Sequence, residues 1–206
     1  MRKYRSMPRA RDFSFDPVAV GRSECDAWAT YYRRDWWRFL RSVLAMVRSG
    51  FALGPVADLR GAWYVLRANQ VWAPYPDNDP QAARRLMAGF YRLTARAGRL
   101  DVDPVRAAEL EVGWWHEHRQ HQHDPAGSVA ELLDALIRLY AYVYHAEQAA
   151  VRRAAEHRVA AMELSDAWVA AGCRMDDPLL DAERLALVAS YAALREGSER
   201  GRPRAG

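Results

Sequence analysis

One stretch of the sequence, residues 109–124, combines chemically reactive side chains with bulky apolar ones. It reads ELEVGWWHEHRQHQHD and holds four of the six histidines in the chain. Carboxylates and imidazoles are the groups that bind metals or transfer protons near neutral pH. Glu111, Trp115, His118 and Gln122 are spaced so that they share one face of a helix. The stretch is therefore the first candidate for a functional site.

A second row of the same kind lies nearer the N-terminus. Glu24, Trp28, Tyr31 and Asp35 repeat the spacing of the first row. If the two helical faces meet inside a bundle, they enclose three carboxylates, an imidazole and a phenol. Buried carboxylates are costly unless they are paired, so partners are expected close by.

Residues 62–72, AWYVLRANQVW, offer such partners. The segment is apolar on nearly all sides, which is typical of a buried central helix, yet it contains Arg67 and Asn69. A buried arginine needs a carboxylate that it can hold with two hydrogen bonds, so Arg67 is predicted to bind an acidic or anionic group. Arg158 and Asp166 add further charged residues to a later helix.

These polar residues have two interpretations. They can form a structural network that fixes the register of the helices, because arginines and acids on one bundle can satisfy each other. They can instead line a site for a ligand or a metal, since bundle interiors are where all-helical proteins build such sites. The predicted ligand-binding residues are Glu24, Tyr31, Asp35, Arg67, Asn69, Glu111, Trp115 and His118.

A divalent metal is compatible with these residues as a cofactor, although no standard motif indicates one. No glutamate is followed by a histidine three positions later, as the di-metal bundles require. His116 and Glu117 begin the zinc-protease pattern H-E-x-x-H, but Gln120 occupies the place of the second histidine. An irregular metal site would use Glu24, Asp35, Glu111 and His118. The other three histidines of the stretch are interpreted as polar residues favoured at a helix C-terminus.

Aspartate–proline pairs divide the chain into helices. Five of the ten prolines follow an aspartate, and this pair suits a helix start because Asp accepts hydrogen bonds from free N–H groups and Pro fits the first helical position. The predicted N-caps are Asp16, Asp79, Asp103 and Asp177. A turn is expected after residue 124, with Ser128 and Glu131 as the capping box of the next helix.

The sequence predicts an all-α, single-domain bundle of six or seven helices with a long N-terminal helix, and no alternating strand pattern is present. The helices are expected over residues 17–51, 57–72, 80–97, 104–123, from 128 to a break at 145–148, from there to 171, and over 178–196. Residues 13–196 form the predicted domain. Residues 1–12 and 197–206 are predicted to be disordered basic tails. Residues 1–11 carry a charge of +5 and residues 197–206 carry +2, so the net charge of +4 leaves 4 − 5 − 2 = −3 on the body between them.

Length and composition suit a soluble protein. A chain of 206 residues, half of them apolar, can bury a sizeable core. Two cysteines are too few for a disulfide framework, no secretory signal is visible, and no apolar run is long enough to span a membrane. The predicted location is cytoplasmic.

The leading hypothesis is a helical bundle whose polar core site binds a small molecule or a metal, with oxidoreductase chemistry as one form of that function. The alternative is a non-enzymatic interaction or scaffold protein whose buried polar network is structural. The sequence does not distinguish an enzyme from a binding protein, and an oligomer is compatible with both. Sequence-specific nucleic-acid binding is not expected, because the long aromatic N-terminal helix does not fit a helix-turn-helix domain.

Overall fold

Eight helices make up the part of the chain that the structure describes. The structure is a computed structural model, and it describes residues 15–124 and 129–200. The helices are α1 (Pro17–Tyr32), α2 (Trp36–Phe51), α3 (Pro55–Trp72), α4 (Pro80–Arg96), α5 (Pro104–His123), α6 (Val129–Tyr144), α7 (Gln148–Ala170) and α8 (Pro178–Arg200). The all-α prediction is confirmed, with one helix more than the predicted range. The predicted N-terminal tail, Ser128 and residues 201–206 lie outside the described residues.

The additional helix arises because the predicted long N-terminal helix is two helices. α1 ends at Tyr32, Arg34 adopts a left-handed backbone conformation with φ of 58°, and α2 begins at Trp36. Asp35 is the N-cap of α2, since its carboxylate accepts a hydrogen bond from the backbone N–H of Arg38 at 3.2 Å. This cap lacks the proline that follows the four predicted aspartate caps, so the sequence pattern did not reveal it.

The predicted N-caps are confirmed. The side chains of Asp16, Asp79, Asp103 and Asp177 each accept a hydrogen bond from a backbone N–H two or three residues later, at 2.7–2.9 Å. The predicted break before α7 is also present, where His145 has a positive φ of 50°. α8 continues to Arg200, four residues beyond its predicted end.

The helices pack in a closed ring. Each helix packs on the helices that precede and follow it in the chain, and α8 returns to pack on α1. One large cluster of buried apolar residues includes side chains from all eight helices. No helix within the described ranges is long and apolar enough to cross a membrane.

A second, smaller apolar cluster lies between α1, α7 and α8. Its buried members include Cys25, Trp168 and Leu187, each with essentially no exposed surface. Glu183 of α8 is also completely buried in this region. The cluster thus contains an acidic side chain without access to water.

The space around two glycines shows how closely the helices pack. A Cβ atom on Gly21 of α1 would lie 2.8 Å from the backbone nitrogen of Val188 in α8, whereas a Cβ on Gly113 of α5 would meet nothing within 4 Å. Gly21→Ala is therefore expected to lower the free energy of unfolding by roughly 1–3 kcal/mol through overpacking. The matched change Gly113→Ala should raise it by about 0.5–1 kcal/mol, since alanine favours a helix interior. Denaturant titration measures both, and equal effects of the two changes would contradict the close α1–α8 contact.

Candidate functional site

The centre of the ring contains a cavity of about 170 Å³ to which all eight helices contribute side chains. Its wall is mainly apolar, and the aromatic side chains in it include Trp28, Phe39, Phe51, Phe90, Trp114 and Trp115. Three charged side chains also line it, namely Glu24 from α1, Glu111 from α5 and Arg158 from α7. The cavity therefore combines a large apolar wall with a few polar groups, a composition typical of small-molecule sites.

Glu24 and Arg158 form a buried ion pair at the cavity wall. Their side chains are 7% and 8% accessible, respectively. The guanidinium donates two hydrogen bonds to the carboxylate, one of them from Nη1 to Oε2 at 2.8 Å. The hydroxyl of Tyr191 in α8 donates to the same Oε2 at 2.6 Å. The guanidinium carbon also lies 5.3 Å from the ring centres of Trp28 and Trp114, so two aromatic contacts add to the pair.

Glu111 is held differently, by three uncharged donors. Its Oε1 accepts hydrogen bonds from the indole N–H groups of Trp114 at 3.2 Å and Trp115 at 3.3 Å. Its Oε2 accepts the hydroxyl hydrogen of Tyr91 at 2.8 Å. Burial raises the pKa of the Glu111 carboxyl, while the hydrogen bond from Tyr91 and the charge of Arg158 act in the opposite direction. The spacing i, i+3, i+4 brings the two indoles to the glutamate on one face of α5.

Two polar atoms at the cavity have no hydrogen-bond partner within the described residues. They are the Nε of Arg158 and the hydroxyl oxygen of Tyr140. The Tyr140 side chain belongs to α6 and its residue is only 6% exposed. The neighbouring hydroxyl of Ser190 donates instead to the carbonyl of Ala154 at 2.8 Å. Buried polar groups usually have partners, so these two atoms mark the part of the cavity wall where a ligand or a water could form hydrogen bonds.

A second cavity of about 70 Å³ adjoins the first and leads towards the surface. The two cavities share five wall residues, Trp28, Phe39, Asn69, Trp114 and Trp115. The second cavity in turn shares Tyr31, Tyr32, Arg119 and Gln122 with an open surface groove of about 670 Å³. Because neighbouring spaces share lining residues, they lie in a row between the surface groove and the central cavity, which marks the route that a ligand could take.

His118 lines this route and is paired with an acid of α7. Its Nε2 lies 3.1 Å from Oδ2 of Asp166, and its side chain is 12% accessible. The amide of Gln122 donates to the other carboxylate oxygen of Asp166 at 2.6 Å and to the hydroxyl of Tyr32 at 3.0 Å. The pair is a fixed polar group on the path to the cavity, and it lies outside the cavity itself.

The structure brings together six of the eight residues that the sequence singled out. Four of them line the central cavity: Glu24, Asn69, Glu111 and Trp115. Tyr31 and His118 line the second cavity, which Asn69 and Trp115 also border. Asp35 lies apart from both cavities as the cap of α2, where its side chain pairs with Arg38 at 3.4 Å.

The prediction that Arg67 is buried beside a carboxylate is wrong. Arg67 is exposed, and its Nη1 donates to the side chain of Gln70 at 2.6 Å. Arg158 is the buried arginine of the bundle. A signal for this existed, because Arg158 continues a row of buried residues on α7 that includes Val151, Ala155 and Met162 at helical spacing. The same spacing applies to the tyrosines that complete the site, since Tyr91, Tyr140 and Tyr191 each lie four residues after a buried apolar residue of their helix.

The four predicted metal ligands do not form one cluster. Asp35 caps a helix, His118 is paired with Asp166, and Glu24 is paired with Arg158. Across residues 15–124 and 129–200, no group of three or more His, Cys, Asp or Glu side chains is arranged to hold a metal ion. The central cavity instead presents single polar groups separated by aromatic rings.

Comparison with known proteins returned no match to a family model, to a curated protein or to a solved structure. The chemistry of the cavity is therefore the basis on which function is inferred.

Proposed function

We propose that the protein binds a small, largely apolar organic molecule in the central cavity. The observation that carries this proposal is the cavity itself, about 170 Å³ of space with an aromatic wall and unpartnered polar atoms. An engineered apolar cavity of about 150 Å³ binds benzene, so this volume suits a molecule with a single ring and a short substituent. The adjoining space of about 70 Å³ gives room for that substituent.

The size of the cavity supports binding over a purely structural network. Protein interiors contain few spaces larger than a water molecule, and this cavity of about 170 Å³ is several times larger. A network that served only to fix helix register would not need this space, since the ion pair of Glu24 and Arg158 already satisfies most of its own hydrogen-bonding groups. A ligand in this space would meet the hydroxyl of Tyr140, which has no partner within the described residues.

An interaction surface is the second candidate function. Three apolar side chains form an exposed row on α3: Val56 at 82%, Leu59 at 52% and Trp63 at 48% exposure. They are spaced i, i+3, i+7 and so share one face of the helix. Exposed apolar groups at such spacing are typical of surfaces that contact another protein. If the central cavity accepts no probe molecule, this candidate becomes the better supported one.

Binding of neutral aromatic probes tests the proposal. Benzene and toluene are expected to raise the melting temperature of the wild-type protein and to change the fluorescence of Trp114 and Trp115, which line the cavity. A probe at one hundred times its Kd stabilises the folded state by about 2.7 kcal/mol. Val143→Phe should remove the effect, because Val143 lines the cavity and the added ring occupies its volume.

The matched control is Val105→Phe, the same change at a residue that is 54% exposed on α5. It should keep the full response to both probes. A response that is equal in the two variants, or absent from the wild type, would contradict binding in the central cavity.

A further inference from the structure

We propose that the ligand of the central cavity carries a positively charged nitrogen, which binds Glu111 and the aromatic rings around it. This inference rests on the proposed binding function and names the chemical class of the ligand: a small aromatic or aliphatic amine in its ammonium form.

The first argument is the balance of charge at the cavity. Its three charged side chains are Glu24, Arg158 and Glu111. Arg158 holds Glu24 through two hydrogen bonds in a buried ion pair, so the charges of these two side chains balance each other. No cation in the described parts of the chain forms an ion pair with Glu111, which has only indole and phenol partners. The cavity therefore contains one carboxylate more than it contains cations.

The second argument is that hydrogen bonds hold the carboxyl of Glu111 in place: burial raises its pKa, and the donors Tyr91 and Trp114 act against that rise. All three of its partners donate hydrogen bonds to it, and an indole N–H cannot accept one. A carboxylate has about four acceptor positions, so one remains on the oxygen that Tyr91 contacts. Uncharged donors orient the carboxylate but do not neutralise it, and a buried charge without a counter-charge is costly. An ammonium group in the cavity would supply both the fourth hydrogen bond and the missing charge.

The third argument is the aromatic wall. Cations bind favourably over the faces of Trp, Tyr and Phe rings, most strongly where water is excluded. The cavity already shows this chemistry, since the guanidinium of Arg158 lies 5.3 Å from the ring centres of both Trp28 and Trp114. Phe39, Phe90 and Trp115 also line the space. A second cation in the cavity would meet rings of the same kind.

Tyr140 provides an independent contact for the ligand. Its hydroxyl has no partner in the described chain, its residue is 6% exposed, and it lines the cavity. A phenol oxygen can accept a hydrogen bond from an ammonium N–H. Tyr140 lines the same cavity as Glu24, Glu111 and Arg158.

An anionic ligand fits the same groups poorly. A third carboxylate in the cavity would lie near Glu24 and Glu111. Among the described side chains that line the cavity, Arg158 is the one cation, and its charge is already paired with that of Glu24.

Three probes of nearly equal size test the inference: benzylamine, benzyl alcohol and benzoate. Isothermal titration to the wild-type protein at neutral pH should show benzylamine binding at least about tenfold more tightly than benzyl alcohol, and benzoate more weakly than either. Glu111→Gln should remove the preference for the amine while changing the affinity for benzyl alcohol by no more than about threefold. Glu109→Gln is the matched control, because Glu109 is an exposed acid on the same helix, and the preference should persist.

The outcomes separate the two proposals. If benzyl alcohol binds and benzylamine binds no more tightly, or if Glu111→Gln keeps the preference, the inference about charge is overturned while the binding function stands. Tightest binding of benzoate overturns it as well. If none of the three probes binds, both proposals fail. The comparison among probes in the wild-type protein needs no variant, so the test remains decisive even if Glu111→Gln does not fold.

Discussion

Replacing Arg158 with methionine is expected to lower the free energy of unfolding by roughly 3–5 kcal/mol. The two side chains of the pair are 7% and 8% accessible, so removing the guanidinium leaves the carboxylate of Glu24 charged and buried with only the hydroxyl of Tyr191 as a partner. Arginine and methionine differ little in volume. The loss of stability therefore arises mainly from the missing charge and less from lost packing contacts. Guanidinium chloride denaturation of wild type and variant at neutral pH measures the difference.

Arg67→Met is the matched control for this experiment. Arg67 is an exposed helical arginine that, among the residues the structure describes, bonds to the side chain of Gln70, so its replacement should change stability by no more than about 0.5 kcal/mol. In the double variant Glu24→Leu, Arg158→Met both charges are absent, and most of the lost stability should return. If Arg158→Met lowers the free energy of unfolding no more than Arg67→Met does, the Glu24–Arg158 ion pair is not buried.

Glu183 is expected to make the stability of the protein depend strongly on pH. The residue has no exposed surface, and neither of its carboxyl oxygens has a hydrogen-bond partner within the described residues. The nearby thiol of Cys25 donates instead to the carbonyl of Leu180 at 3.5 Å. Burial raises the pKa of the Glu183 carboxyl from 4.5 to about 8. The folded protein therefore keeps this carboxyl protonated at pH values where the unfolded chain has lost the proton.

The sign of the effect follows from this difference. Because the folded pKa lies above the unfolded one, the contribution of Glu183 to stability is fully present below pH 4.5 and is lost as the pH rises to about 8. At about 1.4 kcal/mol per pKa unit the full loss amounts to ~5 kcal/mol. Glu183→Gln has no proton to lose. Its stability relative to wild type should therefore rise by several kcal/mol between pH 5 and pH 8.

Denaturation curves of wild type and Glu183→Gln at several pH values measure this difference. Glu156→Gln serves as the control, since Glu156 is an exposed acid on α7, and its stability should run parallel to that of wild type across the whole range. A Glu183→Gln curve that also runs parallel to wild type would show that the carboxyl is ionised in the folded protein.

The helices were predictable because their starts are marked by local chemistry. An aspartate followed by proline fixes a cap whatever the rest of the fold does, and α5 begins and ends at its predicted residues, Pro104 and His123. The break between α1 and α2 was not predictable from the same signal, because Asp35 is followed by Trp36 and the apolar spacing continues on both sides. The aspartate–proline pattern thus located four helix starts and missed the aspartate cap of α2, which has no proline after it.

The site was predictable only where the burial of a side chain follows from its own helix. Glu24 and Glu111 each share a helical face with a tryptophan four residues later, and both glutamates line the cavity. Arg67 lies on α3, which is apolar on nearly all sides, so the sequence could not show which face points outward. The partners of Glu111 and His118 across the bundle, Tyr91 and Asp166, come from helices brought together by packing. Such pairs depend on tertiary contacts, which cannot be predicted from the spacing of residues along one helix.

The return of α8 to α1 sets the order in which the central cavity can form. The other main helix pairs are neighbours along the chain, so they can assemble from short-range contacts, which favours rapid folding. The α1–α8 contact joins distant segments and carries the largest loop-closure entropy, and the wall that holds Glu24 and Tyr191 is complete only once it has formed. A molecule bound in the cavity would contact both of these helices. It would therefore lower the rate of unfolding and leave the rate of the early, local folding steps unchanged.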